Sequence, residues 1–122
     1  MASGTFAFSS KFRLLKKSDF HRVQNKGEKL YTKHFLIFAL KSSEELSRVG
    51  LTISTKVDKR AVIRNKLKRR LREIFRLNRS KLVAHFDIVI IARKNALDLS
   101  YKEIEHEILN TLKYKKYINA TH

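Results

Sequence analysis

The 122-residue chain contains no cysteine, no proline and no tryptophan, and its only glycines are Gly4, Gly27 and Gly50. Without cysteine there are no disulfides, no thiolate metal sites and no cysteine nucleophile. The same absence fits a cytosolic protein. So little glycine and proline leaves no flexible linker, and neither an internal repeat nor a low-complexity tract is found. No apolar run approaches the ~18–20 residues of a transmembrane helix. The opening "MASGTFAFSSKF" lacks a basic segment followed by a long apolar one, so no secretory signal is expected. Carboxylates are scarce as well: 11 Asp and Glu stand against 28 Lys and Arg, a formal net charge of +17. Charge of that size points to a polyanionic partner, either nucleic acid or an anionic membrane surface.

What is present is enough for a core. Apolar residues make up 43% of the chain, with eight Phe and four Tyr, and the length suits one domain. Residues 1–17 read as an extended arm, 18–118 as the domain and 119–122 as a tail. "SDFHRVQNKG" opens on the N-cap candidate Ser18 and stops at Gly27, a short helix. "KLYTKHFLIFALK" reads as one strand to about Leu40, and "RVGLTIST" as a second strand pairing with it in a hairpin. Asp58 can cap a helix from about Lys59 to Asn78, whose Ile63, Leu67, Leu71, Ile74 and Phe75 step by three and four to form a buried stripe. "FDIVIIAR" suits a central strand. Ser100 can cap a final helix carrying Ile104, Ile108, Leu109 and Leu112. The expected order, α-β-β-α-β-α, is an α+β sandwich of helices against a small sheet.

The basic helix is the anomaly. "RNKLKRRLREIFR", Arg64 to Arg76, holds seven cations and one carboxylate, Glu73. Arg64, Lys68, Arg72 and Arg76 repeat at four-residue spacing, and each like-charge pair costs roughly 0.2–0.5 kcal/mol on a helix. Ordinary solvated faces mix signs to avoid this. The apolar stripe is needed for the core rather than for a membrane, so the face reads as a nucleic-acid contact. Asn65 can add an amide donor and acceptor, or simply face solvent.

Alternation places Phe35 and Ile37 on one face of their strand and Leu36 and Phe38 on the other. One set is core; the other is a candidate stacking platform, which Phe20 could join. His21, His34, His85, His106 and His122 show no metal-ligand spacing, and nothing favours a paired-histidine ribonuclease. Glu103, Glu105 and Glu107 read as a solvated face, and no carboxylate set suits a two-metal nuclease. A structural RNA-binding protein of the ribosomal type is the alternative reading of such a basic helix.

Three blocks then carry a resemblance: "SDFHRVQNKG", "VGLTISTKVDKRAVIRNKLKRRLREIFR" (Val49 to Arg76) and "DIVIIARKNALDLSYKEIEHEI", in that order. Over residues 11–114 the chain resembles the protein component of bacterial ribonuclease P. That resemblance implies an α-β sandwich with a left-handed β-α-β crossover, where the general rule favours a right-handed one. It implies an accessory subunit with no catalytic residue or metal ligand of its own, in a cytoplasmic endoribonuclease whose RNA subunit is the catalyst. That RNA's bound Mg²⁺ activates water and cuts the 5′ leader from precursor tRNA. The expected partners are ribonuclease P RNA and precursor tRNA, with no membrane and no DNA. Arg64, Asn65, Lys68, Arg69 and Arg72 match the family's basic motif, Lys56 matches its turn lysine, and Arg60, Lys66 and Arg76 complete the expected RNA face. Phe20 and Phe38 match aromatic positions of the cleft that holds the single-stranded leader. Two residues depart from the pattern. Lys66 replaces the motif's second Arg and lacks its planar fork, and Gln24 stands where some members carry a second aromatic. Tyr114 and Tyr117 are further cleft candidates.

Overall fold

The computed structural model describes residues 10–119. Its elements are helix α1 (Lys17–Lys26), strands β1 (Glu28–Tyr31), β2 (Phe35–Lys41) and β3 (Arg48–Thr52), helix α2 (Ala61–Asn78), strand β4 (Phe86–Ala92) and helix α3 (Tyr101–Tyr114). The strands form one sheet in the order β1-β2-β4-β3. β1/β2 and β2/β4 pair antiparallel, and β3/β4 pair parallel through the α2 crossover.

Two local expectations are corrected. The first expected strand divides in two at Thr32, whose Oγ accepts from the Phe35 N–H at 2.8 Å while its own N–H donates to the Phe35 carbonyl at 2.9 Å. The resulting β1–β2 hairpin replaces the expected β2–β3 hairpin, because β4 inserts between β2 and β3. The segment from Ser10 to the start of α1 lies against the sheet. Leu14 donates its N–H to the Val49 carbonyl at 3.0 Å, and Arg13 bridges Val49 in parallel, closing the outer edge of β3. The rest of the expected arm, residues 1–9, and residues 120–122 of the tail lie outside the described residues.

Helices α2 and α3 cover one face of the sheet. Leu67, Leu71, Ile74 and Phe75 of the predicted stripe are buried there against Phe35, Ile37, Ile88 and Ile90. Each such aliphatic side chain contributes roughly 1.5–3 kcal/mol on burial. Ile63, at the helix start, is only half-buried. Ser100 caps α3 in a full capping box with Glu103. On the opposite face Val23 of helix α1 and Leu14 of the preceding segment pack over Phe38 and Val89. Gly27 lets α1 drop directly into β1: a Cβ there would sit 2.6 Å from the Val23 carbonyl oxygen and 2.8 Å from that of Ala39.

Helix α3 ends in a Schellman motif, with Tyr117 N–H donating to the Leu112 carbonyl and Lys116 N–H to that of Lys113. The left-handed C′ position is occupied by Lys116, at φ 67°, where glycine is the usual residue. Replacement of Lys116 by Gly is expected to stabilise the fold by about 0.5–1 kcal/mol. Thermal unfolding should show the midpoint rising by a few degrees; an unchanged or lower midpoint would refute strain at this cap.

Candidate nucleic-acid interface

Helix α2 begins two residues later than expected. Arg60 is its N-cap without a side-chain hydrogen bond, and its first turn holds no acidic residue. Asp58 instead accepts from the Arg60 N–H at 2.8 Å and from its guanidinium at 3.0 and 2.8 Å. Those bonds hold the Asp58 carboxyl down at about 2. Arg64 reaches back to donate to the carbonyls of Asp58 and Lys59, at 3.0 and 2.9 Å. The β3–α2 turn is thus clamped by two arginines. The positive end of the helix dipole is left facing outward among cations, which suits phosphate.

The remaining candidates spread over two flanks and a crest. Lys56, Arg60, Asn65, Lys66 and Arg69 are exposed; Arg64, Lys68, Arg72 and Arg76 are half-buried. Four-residue spacing sets Arg64, Lys68, Arg72 and Arg76 along one flank. Burial and the neighbouring charge of Arg13 pull the Arg72 pKa down, so Arg13 extends this flank although sequence reasoning left it out. On the other flank, Lys66 and Arg70 border a groove with Ile63, Leu67, Ala96 and Leu97. Arg70 is a second addition. Three of the expected contacts are partly spent inside the protein: Arg60 on Asp58, Arg64 on the two turn carbonyls, and Arg76 on Glu73 at 2.9 and 2.7 Å. Arg76 holds the Glu73 carboxyl below its usual range. Among the described residues, Lys56, Arg64, Lys66, Lys68, Arg69 and Arg72 have no carboxylate partner.

The α1 side is built differently. Phe20 is half-buried and lies on Gly50; a Cβ at Gly50 would fall 2.6 Å from the Phe20 ring. Phe38, expected as a stacking ring, is 6% exposed and packs under α1 with Val23 and Val89. It is the floor of this face rather than an open platform. Helix α1 buries only one residue, Val23, so its seating leans on charge. The fully buried Asp87 of β4 accepts from Arg48 of β3 at 3.0 and 2.9 Å and from Arg22 of α1 at 2.7 Å. Burial pushes the Asp87 pKa up, but the two arginines outweigh it and hold the carboxyl below its usual range. The signal for this lock is an Asp one residue into an otherwise apolar strand.

Of the α3 glutamates read as a solvated face, Glu103 is exposed, but Glu105 and Glu107 are half-buried and bonded within the fold. Glu107 accepts from the His34 backbone and ring nitrogens, both at 2.7 Å, and from the Thr32 hydroxyl at 2.5 Å. Glu105 accepts from Asn78. Burial raises the Glu107 pKa, and the Thr32 and His34 hydrogen bonds bring it below the usual range. Tyr117 packs edge-on against Phe86 at 4.9 Å and donates to Glu28. It therefore belongs to the α2–α3 side, away from Phe20. Tyr114 is 83% exposed. Among the described residues no group of three His, Asp or Glu is placed to hold a metal, and no helix is long and apolar enough to cross a membrane.

A small α+β domain with seven cations clustered on one helix, opposite a second face lined with aromatics, is in class a nucleic-acid-binding protein. The family model for ribonuclease P matches residues 8–116. The chain is 43% identical over 108 residues to the ribonuclease P protein component of Alkaliphilus oremlandii, covering 88% of this chain and 94% of that one. With the component from Clostridioides difficile it shares 40% identity over 101 residues, 82% of this chain and 88% of the other. The solved RNase P protein of Staphylococcus aureus superposes with a TM-score of 0.80 at 32% identity, over 88% of this chain and 98% of that one. That of Thermotoga maritima gives 0.75 at 34% identity, over 84% and 96%. The chain belongs to the ribonuclease P protein family. It is an RNA-binding subunit of the tRNA-processing endoribonuclease, whose holoenzyme contains ribonuclease P RNA. Nothing in its relatives or solved neighbours supports a ribosomal-type role.

Proposed function

We propose that α2 seats the chain on the catalytic RNA while the α1 side of the sheet grips the single-stranded 5′ leader of precursor tRNA. Endonucleolytic removal of that leader gives the mature 5′ end. The observation that carries this reading is the separation of two surfaces. Unpaired cations gather on α2, whereas aromatic and aliphatic groups floor the opposite side of the sheet. Phosphate contacts on the first give affinity without sequence information, and ring faces on the second suit unpaired bases. The RNA-binding set is Lys56, Arg60, Arg64, Asn65, Lys66, Lys68, Arg69, Arg72 and Arg76; Phe20 borders the leader path, with Phe38 beneath it.

Four of the chain's carboxylates are already taken up inside the fold. Asp58, Glu73 and Asp87 are engaged by arginines, and Glu107 by Thr32 and His34. In this reading Mg²⁺ is bound mainly by the RNA subunit, and the chain works by binding and orienting RNA in the cytoplasm. The test is equilibrium binding of precursor and mature tRNA to the RNA subunit, with and without the protein. Protein should tighten precursor binding and leave mature tRNA nearly unchanged; equal effects on both would contradict a leader contact.

A further inference from the structure

Strand β1 alternates cleanly. Leu30, 1% exposed, points into the α2–α3 core, so Lys29 and Tyr31 point to the α1 side. The register sets Lys29 beside Phe38, which pairs with Val89 and, beyond it, Gly50. Tyr31 sits beside Leu36, followed by Ile91 and Thr52. Helix α1 covers the first row: Phe38 is 6% exposed, Val89 0%, and Gly50 lies under Phe20. It does not cover the second, where Tyr31 is 63% exposed, Leu36 and Ile91 are half-buried and Thr52 is exposed.

Two cations flank the Tyr31 ring. The Lys29 Nζ is 5.5 Å from its centroid and the Arg93 guanidinium carbon 5.7 Å. Among the described residues neither has a carboxylate partner. The support beneath is firm. Arg93 donates its N–H to the His34 carbonyl at 2.9 Å, and His34 is held by Glu107. We propose that Tyr31, with Lys29 and Arg93, forms a stacking subsite for one unpaired base of single-stranded RNA. The cations pair with its flanking phosphates.

The proposal deepens the leader reading and rests on it. Gln24, one turn after Phe20, brings no ring from α1, and Phe38 is buried. Tyr31 is the ring this sheet face offers to a base. A duplex keeps its bases stacked inside and has no face to give this ring, so the occupant is single-stranded. An exposed aromatic flanked by cations fits the negative backbone and π-faces of such a strand.

The test uses the protein assembled with its RNA subunit. Tyr31→Ala should weaken binding of a precursor with an unpaired leader roughly tenfold and leave mature tRNA unchanged. Tyr31→Phe should keep wild-type affinity, and Tyr31→Leu should behave as Tyr31→Ala if stacking rather than apolar contact matters. Because the chain lacks tryptophan, Tyr31→Trp adds a single reporter whose emission should be quenched by precursor and not by mature tRNA. Equal affinity of wild type and Tyr31→Ala, or equal losses on precursor and mature tRNA, would overturn the subsite. If the wild-type assembly itself does not prefer precursor, the leader reading falls; if it does and Tyr31→Ala keeps that preference, only the subsite falls.

Discussion

Asp87→Asn is expected to cost about 2–3 kcal/mol of folding stability, read from urea unfolding at neutral pH. The Asp87 carboxylate is fully buried and serves two arginines from two different elements. Removing one partner of a buried charge cluster costs roughly 3–5 kcal/mol when the survivors stay buried. Here the side chains of Arg22 and Arg48 remain 31% and 19% exposed and can regain some water, which sets the lower figure. The pH dependence follows from the sign of the shift. Asp87 has a depressed folded-state pKa, so its contribution is complete above the ordinary aspartate range and fades as pH falls through the lower folded value. The variant should lose less stability than the wild type across that acid limb. Helix α1 should loosen first, since Val23 is the only residue it buries, and amide exchange in 17–26 should accelerate more than in α2. A loss under ~0.5 kcal/mol, the size typical of a neutral surface change, would contradict the lock.

The second large effect is electrostatic. Neutralising Lys66, Lys68 and Arg69 together, by Lys66→Ala, Lys68→Ala and Arg69→Ala, should weaken binding to ribonuclease P RNA by tenfold or more at roughly physiological salt. The plot of log affinity against log salt should lose about 2–3 units of slope, close to one per phosphate contact. These three positions are chosen because none is used inside the protein. Arg64 holds the carbonyls of Asp58 and Lys59, and Arg60 and Arg76 hold carboxylates, so their substitution would mix folding with binding. Lys66 and Arg69 are exposed and Lys68 is half-buried at the rim of the helix, so thermal stability should hold or rise as like charges are removed. An unchanged salt slope would show that the RNA meets another face.

What could be read in advance was local. The α2 stripe follows from three- and four-residue spacing, the α3 cap from Ser100, and the cationic face from seven charges in thirteen residues. What could not be read was long-range. Adjacency in the chain favoured a β2–β3 hairpin, yet β4, more than thirty residues after β3, takes the place between them. Its all-apolar inner positions can pair on both edges. Thr32 looked like any strand residue until its hydroxyl turned the chain toward Phe35. Glu107 looked like part of a solvated face, but its partners lie 73 and 75 residues earlier. Phe38 alternates correctly onto the outer face; its burial depends on α1, whose position is set by Arg22, Asp87 and Arg48 from three separate elements. Tyr31 gave no signal because the strand that exposes it was merged with the next.

The central claim is that this chain promotes leader removal by binding RNA and contributes no nuclease centre of its own. Its most direct test is cleavage of precursor tRNA at low Mg²⁺ by the protein alone, the RNA subunit alone and the two together. The account predicts leader release at a substantial rate only from the two together, with the protein alone inert. Cleavage by the protein alone, or no stimulation of the RNA subunit by the protein, would contradict it.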